Sequence, residues 1–172
     1  MCSERFKSKR IMLLIIAGLM GLNVIFLLES FKEREFISDF LNVYYSQLKI
    51  DSEGRMKIER DVNYALSQGV DGDVVSKVDF LKGFDRFLTK GLQYELMRTG
   101  YLPNFNLMSF GEQKKVSSYE IINVKYQKLN RREYKVVYDV SYMGSSGRNV
   151  IHRSEVFLFD SDRKIVNIGE IL

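Results

Sequence analysis

At 172 residues, 45% of them hydrophobic and 13% aromatic, the chain has material for one domain of ordinary size plus an appendage, and wholesale disorder is excluded. A single cysteine excludes an intramolecular disulfide and a cysteine-rich zinc site, and a single histidine excludes a multi-histidine metal centre. The net charge of +4 is concentrated at one end, where Arg5, Lys7, Lys9 and Arg10 stand against Glu4 alone; beside an apolar run this marks membrane orientation rather than nucleic-acid binding.

The apolar run is Ile11 to Leu28, with no charged side chain and Asn23 as its one strongly polar member. At about 1.5 Å per residue it reaches roughly 27 Å, close to the ~30 Å hydrocarbon thickness of a bilayer. A cleavable signal has a shorter apolar core followed by small residues, and Phe26-Leu27-Leu28-Glu29-Ser30-Phe31 offers no such site. Against a buried globular helix, the run is apolar around its whole circumference and follows directly on a basic cluster. The pattern therefore predicts a retained single-pass transmembrane helix over 11–28 in the cell membrane. The basic tail, 1–10, is then cytoplasmic and the body, 29–172, extracytoplasmic.

A helical stripe follows at once: Phe36, Ile37, Phe40, Leu41, Tyr44, Tyr45 and Leu48 recur at steps of one, three and four, predicting a stalk helix over 29–48. A shorter stripe, Ile58, Val62, Ala65 and Leu66, ends at Gly69 and Gly72. A third runs from Asp73 to Met97 through Val78, Leu81, Phe84, Leu88, Leu92 and Leu96, and predicts one helix despite Gly83 and Gly91. Gly100 and Pro103, the only proline, mark its exit.

From about residue 114 the period shortens to two. In EYKVVYDVSYM, Tyr134, Val136, Tyr138, Val140 and Tyr142 share one side, with Lys135, Asp139 and Ser141 on the other. SYEIINVKYQKL before it, NVIHRSEVFLF after it and the closing KIVNIGEIL have strand composition, joined by LNRRE, MGSSGRN and DSDRK, each short enough for a hairpin. Helices first and a four-stranded antiparallel meander after them predict a two-layer α+β domain, the helices covering one face of the sheet.

Residue chemistry is sparse. His152, within a strand, reads as a sheet-face histidine, and Cys2 sits across the membrane from it. Asp160 and Asp162 are followed by Arg163 and Lys164, a solvated turn rather than a calcium loop. GSSG at 144–147 lacks the spacing of a phosphate loop. Lys114, Lys115, Lys125, Lys128, Arg131, Arg132 and Lys135 are balanced locally by acids and read as a charged sheet face. No catalytic, cofactor-binding or metal-ligating residue is predicted. Tyr134, Tyr138 and Tyr142 either pack under the helices or line an exposed groove, and in the second case they are the candidate partner contacts.

The order of elements resembles the cone-shaped nuclear transport factor 2-like (cystatin-like) fold. With an uncleaved amino-terminal anchor, the whole chain resembles the bitopic scaffold proteins of conjugative type IV secretion machines, the eighth VirB component and Gram-positive relatives such as TcpC. The Asn-Pro-x-Gly turn of the Gram-negative branch is absent, Pro103 standing in Leu-Pro-Asn-Phe, and no contact residue is carried over. The resemblance implies a non-enzymatic assembly component of a DNA-transfer machine, with other envelope and secretion-channel proteins, and further copies of itself, as partners and without direct nucleic-acid binding. The competing expectations are a membrane-anchored extracytoplasmic ligand-binding or immunity module, and an enzyme using the hollow of the cone through a carboxylate such as Asp79, Asp85 or Asp139.

Overall fold

The computed structural model of the chain describes residues 30–68 and 75–170. The predicted membrane helix, 11–28, and the glycines expected to end the second helix, Gly69 and Gly72, lie outside these residues. Among the described residues no helix is long and apolar enough to cross a membrane. By its contacts the chain divides after Ile37. Residues 30–37 of the first unit are helical; the second unit, Ser38–Leu172, holds every other described element.

Helix α1 covers residues 30–45 and continues into a 3-10 turn, Ser46–Lys49. Within the second unit Phe40, Leu41, Tyr44, Tyr45 and Leu48 are buried, so this stretch of the expected stalk is core of the body. Asp51 caps α2 (Ser52–Ser67), its carboxylate accepting the Gly54 N–H at 2.8 Å. Arg55 on α2 pairs with Glu112 at 3.4 Å and donates to the Ser109 hydroxyl.

The helix expected from Asp73 to Met97 is interrupted. Among the described residues 75–76 are helical, and α3 (Asp79–Lys82) and α4 (Lys90–Arg98) follow, with turns at 83–87 between them. The reason is a tertiary pairing: Leu88 bridges Ile165 in parallel, and the Ile165 N–H donates to the Phe87 carbonyl at 2.8 Å. The chain must be extended there. Thr89 then restarts the helix by accepting the Leu92 N–H at 3.3 Å.

A further helix, α5 (Phe105–Lys114), follows a cis Leu102–Pro103 bond and was not expected from periodicity. Asn104 caps it, accepting the Leu107 N–H at 2.9 Å, and Lys115 in the left-handed region closes it. Gly111 lets α5 touch the turn after α1: a Cβ there would lie 2.0 Å from the Leu48 carbonyl oxygen.

The strands are β1 (Ser118–Asn130), β2 (Glu133–Gly144), β3 (Gly147–Phe159) and β4 (Ile165–Glu170), in sequential antiparallel order. The fold is thus α+β, helices packed on one face of a four-stranded antiparallel meander. Ser145 and Ser146 make the tight β2–β3 turn between the paired Gly144 and Gly147, and Asp160 organises the β3–β4 turn by accepting the N–H groups of Asp162 and Lys164. Register sets Tyr134, Val136, Tyr138, Val140 and Tyr142 on the inner face opposite Phe157, Glu155, Arg153, Ile151 and Asn149. Phe40 centres the core, its ring 5.8–6.1 Å from those of Tyr44, Phe84, Phe87 and Phe157.

Candidate functional site

The inner face is packed with rings and hydroxyls. Tyr134, Tyr138 and Tyr142 are 0%, 0% and 6% exposed, so the three candidate contact tyrosines lie under the helices and not along an exposed groove. Val136 and Val140 fall in phase with them, and that shared phase carries all five to the core. The Tyr138 hydroxyl is 3.2 Å from that of Tyr45, and Tyr44 stacks on Tyr101 at 5.3 Å. Tyr101 donates to Glu155, an acid 4% exposed, at 3.2 Å. Gln47 ties the cluster down by donating to the Tyr44 carbonyl and accepting the Asn104 N–H.

Burial, the largest cause, raises the pKa of Tyr44, Tyr101 and Tyr138 far above the ordinary tyrosine value and pushes Tyr45 up to about 12; the Glu155 carboxylate adds to it. The cluster therefore stays neutral at its phenols. Glu155 and Arg153 were not singled out from sequence, although both fall in phase with Phe157 and Phe159, and a charge on the apolar phase of a strand is the signal that marks them.

The outer face is different in kind. Val137, Met143 and Val150 keep 40%, 42% and 46% of their surface, a concentration of exposed apolar groups among polar pairs. Their signal in sequence is Val137, an apolar residue in the polar phase of β2. Beside them Asp139 accepts from the Asn123 amide at 2.7 Å and meets His152 Nδ1 at 2.5 Å. Arg148 donates to the buried Ser141 hydroxyl at 2.7 Å and pairs with Glu120 at 3.6 Å.

A bulge builds the first of these networks. Between Ile122 and Lys125 strand β1 gains one residue over β2, and Asn123 takes the left-handed conformation, φ +55°, that a glycine usually supplies. Its amide is thereby aimed at Asp139. Two shallow hollows lie along the β1–β2 surface, about 430 Å³ beside Glu120, Ser141 and Arg148 and about 380 Å³ beside Asn123, Val137 and Asp139.

The three carboxylates considered as bases are all in surface pairs. Asp79 is held below the ordinary range by a hydrogen bond from Lys82, and Asp139 by Asn123 and then His152. For Asp85 burial works upward, but hydrogen bonds from Lys90 and Gln93 and the charges of Lys90 and Lys164 bring it below that range. None has the raised pKa of a buried general base. Among the described residues no group of three or more histidine, cysteine or acidic side chains is arranged to hold a metal ion.

Exposed apolar groups set among charged and hydrogen-bonded pairs are features found on protein contact surfaces in general. Compared with protein-family models, curated proteins and solved structures, the chain finds no match.

Proposed function

We propose that this chain is a non-enzymatic assembly protein, held in the cell membrane by residues 11–28, that serves as a scaffold component of a conjugative type IV secretion machine. Its extracytoplasmic body, read as a nuclear transport factor 2-like domain, acts through protein contacts. The observation that carries the reading is the outer face of the sheet, where Val137, Met143 and Val150 stand exposed around the Glu120–Arg148 and Asp139–His152 pairs.

The occupant of that face is a neighbouring envelope protein of the same machine. Two features support this. The pairs on the face are of both signs, which suits a protein surface better than a polyanion. An anchored chain also meets its neighbours in two dimensions, where raised effective concentration makes a modest contact area sufficient.

The test is capture of the tagged full-length chain from membranes in mild detergent. The expected result is recovery of membrane components of a DNA-transfer apparatus, reduced tenfold or more by Val137→Asp or Val150→Asp while circular dichroism is unchanged. Recovery of the chain alone, or undiminished recovery with both variants, overturns the reading. So does protease treatment of intact cells that leaves the body uncut until the cells are lysed.

A further inference from the structure

The sheet has one long edge. β1 runs for thirteen residues, β2 pairs one side of it and, among the described residues, no strand pairs the other. An edge of that length presents a row of backbone donors and acceptors ready for another strand; folded proteins commonly shorten or blunt such edges. The short β4 is treated that way, with Leu88 bridging Ile165. β1 carries charges and a bulge, devices that usually repel a second strand. On β1, however, they are arranged so that a second β1 fits them.

We propose that two copies of this chain join through β1, strand against strand and antiparallel, about a two-fold axis between Ile122 and Asn123. In that register Ser118 of one copy faces Gln127 of the other, Tyr119 faces Tyr126, and Glu120 faces Lys125. Two-fold symmetry makes each pair twice.

The faces decide which registers are allowed. Pairing with β2 places Tyr119 and Ile121 inward, with Glu120 and Ile122 outward; beyond the bulge, Lys125 and Gln127 are outward and Tyr126 inward. The extra residue at Asn123 shifts the alternation by one, and because both copies carry it the shift cancels across the axis. Inward residues meet inward ones on both flanks. A slip of one residue sets inward against outward and is excluded by the pleat.

The charges decide among what remains. A slip of two residues in one direction puts Glu120 opposite Gln127 and Ile122 opposite Lys125, with no complementary pair. In the proposed register two Glu120–Lys125 pairs flank the bulges, and opposite charges directly across strands are favourable where like charges are not. The two sheets then run on as one, eight strands wide, with both outer faces on the same side. This inference rests on β1 alone and stands whether or not the outer face binds an envelope partner.

The register makes a sharp test in membranes, with the full chain and Cys2→Ser as background. Ser118 and Gln127 are exposed. Two differently tagged chains are co-expressed, one with Ser118→Cys and the other with Gln127→Cys, and treated with a short bis-maleimide. The expected product is a mixed dimer carrying both tags. Ser118→Cys paired with itself yields none, since the two sites then lie roughly 30 Å apart at ~3.4 Å per residue along the strand.

Charge reversal supplies a second measurement. Glu120→Lys or Lys125→Glu turns both pairs into like-charge contacts and raises the dissociation constant of the dimer in detergent about tenfold or more. The double exchange, Glu120→Lys with Lys125→Glu, restores it. Arg148→Ala removes the partner of Glu120 within the chain and leaves the dimer intact.

Absence of the mixed dimer overturns the proposal, as does an equal yield from Ser118→Cys alone, a double exchange that fails to recover, or cross-linking of β1 to a different protein instead. Failure to capture envelope proteins with the mixed dimer still present counts only against the function proposed above.

Discussion

On β2, Tyr134, Val136, Tyr138 and Val140 have no exposed surface, whereas Val137, lying between two of them in sequence, keeps 40% of its own. The same backbone serves two purposes through the alternation of the pleat. Inward, tyrosine and phenylalanine rings fill the space beneath the helices, and the hydroxyls of Tyr45 and Tyr138 meet one another. Outward, Val137, Met143 and Val150 stand partly exposed around the Glu120–Arg148 ion pair and the Asp139–His152 pair. A residue's neighbours in sequence thus say little about its role, and its phase says most. Substitution should separate the faces cleanly: inward changes destabilise the body, and outward ones leave it folded.

The largest effects belong to the inward side. Phe40→Ala removes the ring on which Tyr44, Phe84, Phe87 and Phe157 converge and should lower stability by about 3–5 kcal/mol, roughly 10 °C in Tm. Gly111→Ala reaches a similar end by the opposite route. Its new methyl group cannot coexist with the Leu48 carbonyl, so the backbone of α5 or of the preceding turn must move, at the upper end of about 1–3 kcal/mol or beyond. Thermal unfolding of the full chain in detergent measures both. A shift under 1 °C in either would break the contrast.

Next comes the alkaline limb of the stability curve. The raised pKa of Tyr44, Tyr45, Tyr101 and Tyr138 means that the folded state holds their protons more tightly than the unfolded chain. Stability from this source is complete below the ordinary tyrosine value of 10.0 and is lost as the pH rises toward and beyond the Tyr45 value of about 12. Tyrosinate absorbance should show these four phenols ionising together with unfolding. Independent ionisation of these four near 10, without unfolding, would show the cluster to be wet. Tyr45→Phe tests one strand of it, with an expected loss of about 1 kcal/mol for the hydroxyl pair with Tyr138.

How far the sequence foretold this depends on whether period or tertiary pairing sets each element. The four strands and their joins follow from alternation and turn residues, and the observed β2 and β3 differ from expectation by one or two residues at their ends. The α1 stripe follows from the 3.6-residue period. The break at Phe87–Thr89 does not, because an extended bridge to Ile165, 77 residues on, overrides a helical pattern that continues across it. α5 escaped for another reason: its apolar residues are scattered about a glycine that packs against backbone, so its stripe is faint and its clearest mark is the cap at Asn104. The tyrosines of β2 were legible as one face, but whether that face was covered depended on helices whose arrangement no period encodes. The Asn123–Asp139–His152 network was illegible, since a bulge is a property of two strands in register and not of one.

The smallest effects belong outward, and there the comparison is sharpest. Val137→Ser and Val150→Ser should change stability by no more than about 0.5 kcal/mol, because both residues lie on the surface and already keep 40% and 46% of their area in water. Asp139→Asn distinguishes a face that is merely exposed from one that is ordered. Its carboxylate is held below the ordinary value of 3.8 by the Asn123 amide first and His152 second, so its contribution is complete above that value and drains away as the pH falls through the lower one. The melting temperatures of the native chain and the Asn variant should therefore differ at neutral pH and converge in acid, with the native chain the more stable wherever they differ. Identical curves at every pH would mean that the network leaves Asp139 as free as any surface carboxylate. The ordered mosaic between the apolar patches would then be lost, and with it the reason to regard the outer face as built for a partner.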